Sequence, residues 1–248
     1  MADYRNNIAR QGVTAGGVQT DYDEGLRSYL LKVYNYMGMA MALTGIAAYA
    51  TFSMSVSNGQ LTPLGVTLFT SQLKWVIMFA PLALVFFLSF RINSMSVAAA
   101  QLTFWIYAAL VGVSLSTIFM VFTATSITQT FFITAAAFGA LSLYGYTTKR
   151  DLSGMGSFMM MGLFGLIIAM VVNIFIGSAP LQWAISVIGV LIFAGLTAWD
   201  TQKIKNMYDV VAHDETIMGR SAIMGALTLY LDFINMFMFL LQFLGNRE

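Results

Sequence analysis

The chain contains no cysteine, which excludes disulfides, thiolate nucleophiles, iron–sulfur clusters and zinc–thiolate sites. It has one histidine, His213, in a polar segment. A bis-histidine haem or a multi-histidine metal site is therefore beyond a single chain, and a serine protease triad would have only His213 as its base. Charge is scarce too: 12 Lys and Arg and 11 Asp and Glu, 9% of 248 residues, for a net charge of +1. No basic run is present, so nucleic acid is not an expected partner. What fills the chain is apolar: 58% hydrophobic residues and a mean hydropathy of +0.76, where a soluble domain averages roughly 25% charged and 45–50% apolar residues. This is the composition of an integral membrane protein with several spans.

Because charges are so few, the gaps between them mark the helices. A spanning helix needs about 20 apolar residues. The uncharged run 33–73 holds one helix followed by a polar stretch, Ser53 to Ser71. Lys74 to Arg91 holds a second, whose flanking cations snorkel outward. The runs 92–148 and 152–199 hold two each, split near Thr123–Thr128 and Gly177–Gln182, and the stretch from Arg220 to Arg247 holds the last. The expected spans are 29–52, 73–91, 98–122, 129–147, 157–177, 183–203 and 222–244. The runs are too long and too evenly apolar for alternating barrel strands. The fold class is an all-α integral membrane protein, a seven-transmembrane-helix bundle of residues 28–248 behind a polar cytoplasmic tail, 1–27. A cytoplasmic N-terminus puts Arg5, Arg10, Arg27, Lys32, Arg91, Lys149, Arg150, Lys203, Lys205 and Arg220 inside and only Lys74 and Arg247 outside. That asymmetry obeys the positive-inside rule and leaves the C-terminus outside. Small residues at Ala108, Gly112 and Ser116, and at Gly162 and Gly165, suit close helix approach.

Two acids stand out. A lone charge near the bilayer centre costs roughly 2.5–3.5 kcal/mol on insertion scales. Asp232 lies ten residues into the last expected span, about 15 Å at 1.5 Å per residue, with Thr228 at i−4 and Asn235 at i+3 on its face. Asp200 lies near the end of the sixth span, with Lys203 three residues on as a simple ion-pair partner. On these spans the two carboxylates differ in depth by roughly 10 Å. If they meet, they share a proton, which makes the pair a pH sensor and, deprotonated, a hard-oxygen cation site. Ca²⁺ takes six to eight oxygens. Two aspartates supply at most four, so Thr228, Asn235, Thr201, carbonyls or water must add the rest, which favours passage over storage. Arg91 closes the second span in LSFRINSMS and reads from its position as a positive-inside anchor.

The stretch GALTLYLDFINMFMFLLQFLG at 225–245, preceded by GLTAWDTQKIK at 195–205, resembles the transmembrane Bax-inhibitor-motif family. RINSMS at 91–96 and KRDLSGMG at 149–156 fit the same resemblance, which covers the chain after the polar tail. It implies a seven-helix protein, most simply of a bacterial inner membrane, that acts as a pH-sensitive calcium leak without a resident cofactor. It also implies an aspartate pair at Asp200 and Asp232 as gate and metal ligands, and an arginine at Arg91 as a latch on that pair.

Three rival readings exist. An intramembrane aspartyl protease also uses two aspartates that share a proton, but its GxGD and PAL motifs are absent here. A retinal protein needs a Schiff-base lysine in the last helix, and residues 221–246 contain none. An interaction protein that restrains a membrane-bound, ATP-dependent quality-control protease remains a reading implied by bacterial relatives, with the 1–27 tail as its handle.

Overall fold

The computed structural model describes residues 24–247; residues 1–23 of the expected polar tail lie outside the described residues. Seven helices are long and apolar enough to cross a membrane: α1 (Glu24–Ser55), α3 (Leu73–Arg91), α4 (Val97–Leu115), α5 (Ala124–Thr147), α6 (Ser153–Ile176), α7 (Ala179–Val211) and α8 (Glu215–Leu244). A short helix α2 (Pro63–Phe69) lies between the first two spans. The polar stretch after α1 is a small hairpin, β1 (Val56–Ser57) against β2 (Gln60–Leu61). Its turn residues, Asn58 and Gly59, have φ of 52° and 74°, left-handed values that Asn-Gly reaches at least cost. Thr62 caps α2 through its side chain and Pro63 occupies the first turn, where a missing N–H goes unnoticed.

The spans expected from sequence are all present, and the second matches end for end. The largest differences are at the α7–α8 turn. The sixth span was expected to stop at 203, but α7 continues to Val211; the seventh was expected from 222, but α8 begins at Glu215. The added turns are amphipathic rather than apolar. Ile204, Tyr208 and Val211 are buried one turn apart, the helical period for a packed stripe, while Lys203, Asn206 and Asp209 face out. Asp214 caps α8 by accepting from the N–H groups of Thr216 and Ile217. A search for uncharged runs stops at the first lysine and misses such turns. The third expected span likewise ends differently: α4 stops at Leu115 and a 3₁₀ segment, Ser116–Met120, continues it.

α8 is the central helix. It touches α1, α4, α5 and α7, and its most apolar stretch is 61% buried, against 11% for α3 and for α6. α3 lies chiefly on α4, and α6 chiefly on α7. Helix pairs are locked where side chains vanish. Gly112 receives the backbone of α1, with a Cβ there colliding with the Thr44 carbonyl and 2.7 Å from Ala47 Cβ. Gly189 seats Phe239 and Gly225 seats Ile204, which sets the antiparallel register of α7 and α8. Of the other small residues singled out, Ala108 and Ser116 are buried and Gly162 meets Ile192, while Gly165 faces open space. At the junction of α1, α4 and α8 the Tyr230 hydroxyl lies 2.7 Å from Thr44 Oγ1, and Thr44 Oγ1 reaches the carbonyls of Ala40 and Ala108 at 2.9 Å. Thr44 has one proton for those carbonyls, so Tyr230 donates to Thr44.

Gly112→Ala is expected to lower the thermal midpoint of the detergent-solubilised protein, at an overpacking cost of about 1–3 kcal/mol. Gly38→Ala, where no atom lies within 4 Å of the new Cβ, is expected to leave it unchanged or raise it. Equal effects of the two would refute the α1–α4 contact.

Candidate functional site

Asp200 and Asp232 are both buried, at 6% and 4% exposure. A charged side chain is almost never that buried unless paired. The glycine contacts explain how the two meet. On the register set by Gly189–Phe239 and Gly225–Ile204, Asp200 lies about three residues, or ~4.5 Å, from the level of Asp232. The expected mismatch of about 10 Å came from levelling the facing helix ends; moving those ends to Val211 and Glu215 changes it by only about 1.5 Å, and the stagger of the two helices in this register removes the rest. The two carboxyl groups are within hydrogen-bonding reach of each other. Two carboxylates offer only acceptors, so that contact is a hydrogen bond only when one proton is present. Asp232 Oδ2 is buried with no hydrogen-bond partner.

The pair stands where two cavities adjoin. One, of about 360 Å³, lies between α6, α7 and α8 and is walled by apolar side chains such as Met160, Ile167 and Phe193, with Asp200, Thr228, Asp232 and Asn235 as its polar groups. The other, of about 190 Å³, lies toward the α7–α8 turn and is lined by Tyr29, Asp200, Lys203, Ser221 and Thr228 among others. Asp200 and Thr228 belong to both and form the partition. A cavity of about 230 Å³ between α1, α5 and α8 has only Thr44 and Thr128 as polar side chains.

The supporting groups named from sequence are in place but already engaged. Thr228 donates its hydroxyl proton to the Met224 carbonyl at 3.0 Å, which leaves only lone pairs for the cavity. Asn235 donates through Nδ2 to the Leu231 carbonyl at 2.8 Å, leaving Oδ1 as acceptor. Thr201 is buried and reaches Ser142 of α5 at 3.5 Å. The site thus presents carboxylate, hydroxyl and amide oxygens, an acceptor set that matches a cation or a proton and opposes an anion. No group of three or more His, Cys, Asp or Glu that could hold a metal ion exists among the described residues.

Arg91 is not brought to the pair. It is exposed in the last turn of α3, a helix that packs on α4, and it lines neither cavity. Lys203 does line the turn-side cavity. Sequence reasoning also missed an amide ladder at the far end of α6, α7 and α8. Asn173 Nδ2 donates to Gln182 Oε1, Gln182 Nε2 donates to Gln242 Oε1, and Ser186 Oγ donates to the same oxygen. The signal was present as three uncharged amides inside or beside apolar spans, which a search by charge does not register.

The family described as inhibitor of apoptosis-promoting Bax1 matches residues 26–248. A protein of Rickettsia prowazekii, described as uncharacterized, is 50% identical over the full length of both chains. One of Caulobacter vibrioides, also described as uncharacterized, is 43% identical, again over both full lengths. The inner membrane protein YbhL of Escherichia coli K12 is 46% identical over 90% of this chain and 94% of its own. With seven membrane-length helices and this relative, the chain is an integral protein of the bacterial inner membrane.

The cysteine-free chain allows a direct test of the pairing. Asp200→Cys combined with Asp232→Cys is expected to cross-link within one chain through a short bis-methanethiosulfonate, each thiolate displacing methanesulfinate, read by intact mass. Asp200→Cys with Ile234→Cys, whose second position lines the α1–α5 cavity instead, is expected not to. Equal yields would refute the α7–α8 register.

Proposed function

The chain belongs to the Bax inhibitor family, and from that premise we propose that it passes Ca²⁺ across the membrane through the Asp200–Asp232 pair, with a shared proton as the switch. One observation carries this reading: Asp200 and Thr228 line two adjoining cavities along α7 and α8, and Asp232 lines the larger of them beside Asp200. A cation in the larger cavity meets Asp200, Thr228, Asp232 and Asn235, and one in the smaller cavity meets Asp200 and Thr228 together with the Tyr29 and Ser221 hydroxyls.

The chemistry of the switch is competition. Two buried carboxylates side by side repel, so in the resting pair one proton bridges them. Ca²⁺ needs six to eight oxygens at 2.3–2.6 Å; the pair gives at most four, and Thr228, Asn235 and water complete the shell. A proton and a cation claim the same oxygens, so cation occupancy rises as pH rises and binding releases a proton. Such an incomplete cage holds the ion weakly, which suits passage. By the positive-inside rule the α7–α8 turn, with its lysines, faces the cytoplasm, so the smaller cavity is the cytoplasmic vestibule. The rival role, restraint of a membrane-bound protease, has its handle largely in residues 1–23, outside the described residues.

Ca²⁺ entry into dye-loaded proteoliposomes tests the proposal. Wild type is expected to leak with a pH dependence across about pH 6–8, where a shared carboxyl proton can titrate, and Asp200→Asn and Asp232→Asn are each expected to flatten it. A wild type indistinguishable from protein-free vesicles at every pH would end the conduction reading and leave the partner role in its place.

A further inference from the structure

Three cations flank the α7–α8 turn, Lys203, Lys205 and Arg220, and two of them are committed. Lys205 donates to the Tyr146 carbonyl at 2.9 Å and lies 4.9 Å over the Tyr146 ring. Arg220 donates to the Asn93 carbonyl at 2.8 Å and ties α8 to the turn after α3. Lys203 is different. It has no hydrogen-bond acceptor and no ion-pair partner among the described residues; its ammonium rests 5.1 Å over the face of Trp199. That ring is itself fixed, because it lies against Gly156 of α6, where even a Cβ would collide with it. From the same position Lys203 lines the turn-side cavity together with Asp200 and Thr228. Asp200 and Lys203 are three residues apart, one turn on the same helix face. Lys203 is also the cation whose charge reaches Asp200. A lysine on a flexible four-carbon stem with three donors therefore has two rests within reach: the Trp199 face and the acceptor oxygens of the partition.

Resting on the conduction reading above, we propose that Lys203 is a tethered cation that competes with the travelling ion for Asp200 at the turn-side cavity. The ammonium supplies the donors that the acceptor-only partition lacks, and an incoming cation must displace it. Trp199 holds the displaced ammonium through the ring face, so the lysine leaves the cavity without losing all its stabilisation. A divalent ion is opposed by the tethered charge twice as strongly as a monovalent one at the same distance, so Lys203 also weighs against divalent entry. The role is one of positioning and selectivity, and it belongs to a residue that sequence reading paired with Asp200 as a mere surface partner.

Two readouts on the full-length protein test it. In proteoliposomes, Lys203→Met is expected to raise initial Ca²⁺ entry by about tenfold, the scale of one partly screened unit charge at this range, and to raise Ca²⁺ entry more than K⁺ entry; Lys203→Arg is expected to stay near wild type. The second readout needs no conduction. On the cysteine-free chain, Ser221→Cys places a thiol in the same cavity. Its reaction rate with a cationic methanethiosulfonate relative to an anionic one is expected to rise when Lys203→Met is added. Lys203→Gln serves both assays should Lys203→Met fail to fold. If wild type conducts and Lys203→Met matches it in flux and in reagent ratio, conduction stands and the tethered-cation proposal is overturned. If no variant exceeds protein-free vesicles, the conduction reading falls and the proposal with it, even where the reagent ratio reports the lysine in the cavity.

Discussion

Everything in this bundle is arranged around the burial of two carboxyl groups against each other. An isolated carboxylate cannot be kept in an apolar interior, and a pair of them is worse unless a proton or a cation stands between. The chain accepts that demand on its most enclosed helix, α8, and on the neighbour that α8 touches most closely, α7. Gly189 and Gly225 let the two helices approach until Asp200 and Asp232 meet, so the packing and the chemistry have the same cause. Remove either glycine contact and the register that joins the carboxyls goes with it.

The remaining helices divide into those that hold α8 and those that shield it. α1 holds it through the Tyr230–Thr44 hydrogen bond, and the Gly112 contact locks α4 to α1. α5 adds the Ser142–Thr201 approach behind Asp200. α6 shields the pair from one side; it rests on α7 through Gly156 under Trp199 and Gly162 against Ile192, and it forms one wall of the larger cavity. The amide ladder of Asn173, Gln182 and Gln242 ties the far ends of α6, α7 and α8 together with neutral groups, whereas cations gather at the opposite end. The acidic pair thus lies between a neutral amide end and a cationic end, a gradient of polarity along one axis of the bundle.

Much of this was legible in the sequence because membrane helices are written in a coarse code. Spans of uniform hydrophobicity and sparse charge gave the helix number, and an acid in LTLYLDFINMF could only be a buried, partnered group. Other features are coded more finely. The extra turns at 204–211 and 215–221 are amphipathic, and the hydropathy rule that finds spans ends at their first polar residues. The depth of Asp200 depends on which glycines seat which side chains across the α7–α8 interface, a tertiary fact that no local window carries. Arg91 was placed by analogy at the pair, and the peripheral packing of α3 leaves it exposed. Lys203 was read correctly as near Asp200, but its perch on Trp199 depends on Gly156, 43 positions earlier on another helix.

The central claim is that one proton bridges Asp200 and Asp232 and that a cation replaces it. Infrared difference spectroscopy of the membrane-reconstituted protein addresses this directly. A protonated carboxyl band is predicted that disappears on raising pH or on adding Ca²⁺ at fixed pH, and that is absent from the difference spectra of Asp200→Asn and Asp232→Asn. A band that persists in both variants, or that ignores Ca²⁺, would contradict the account.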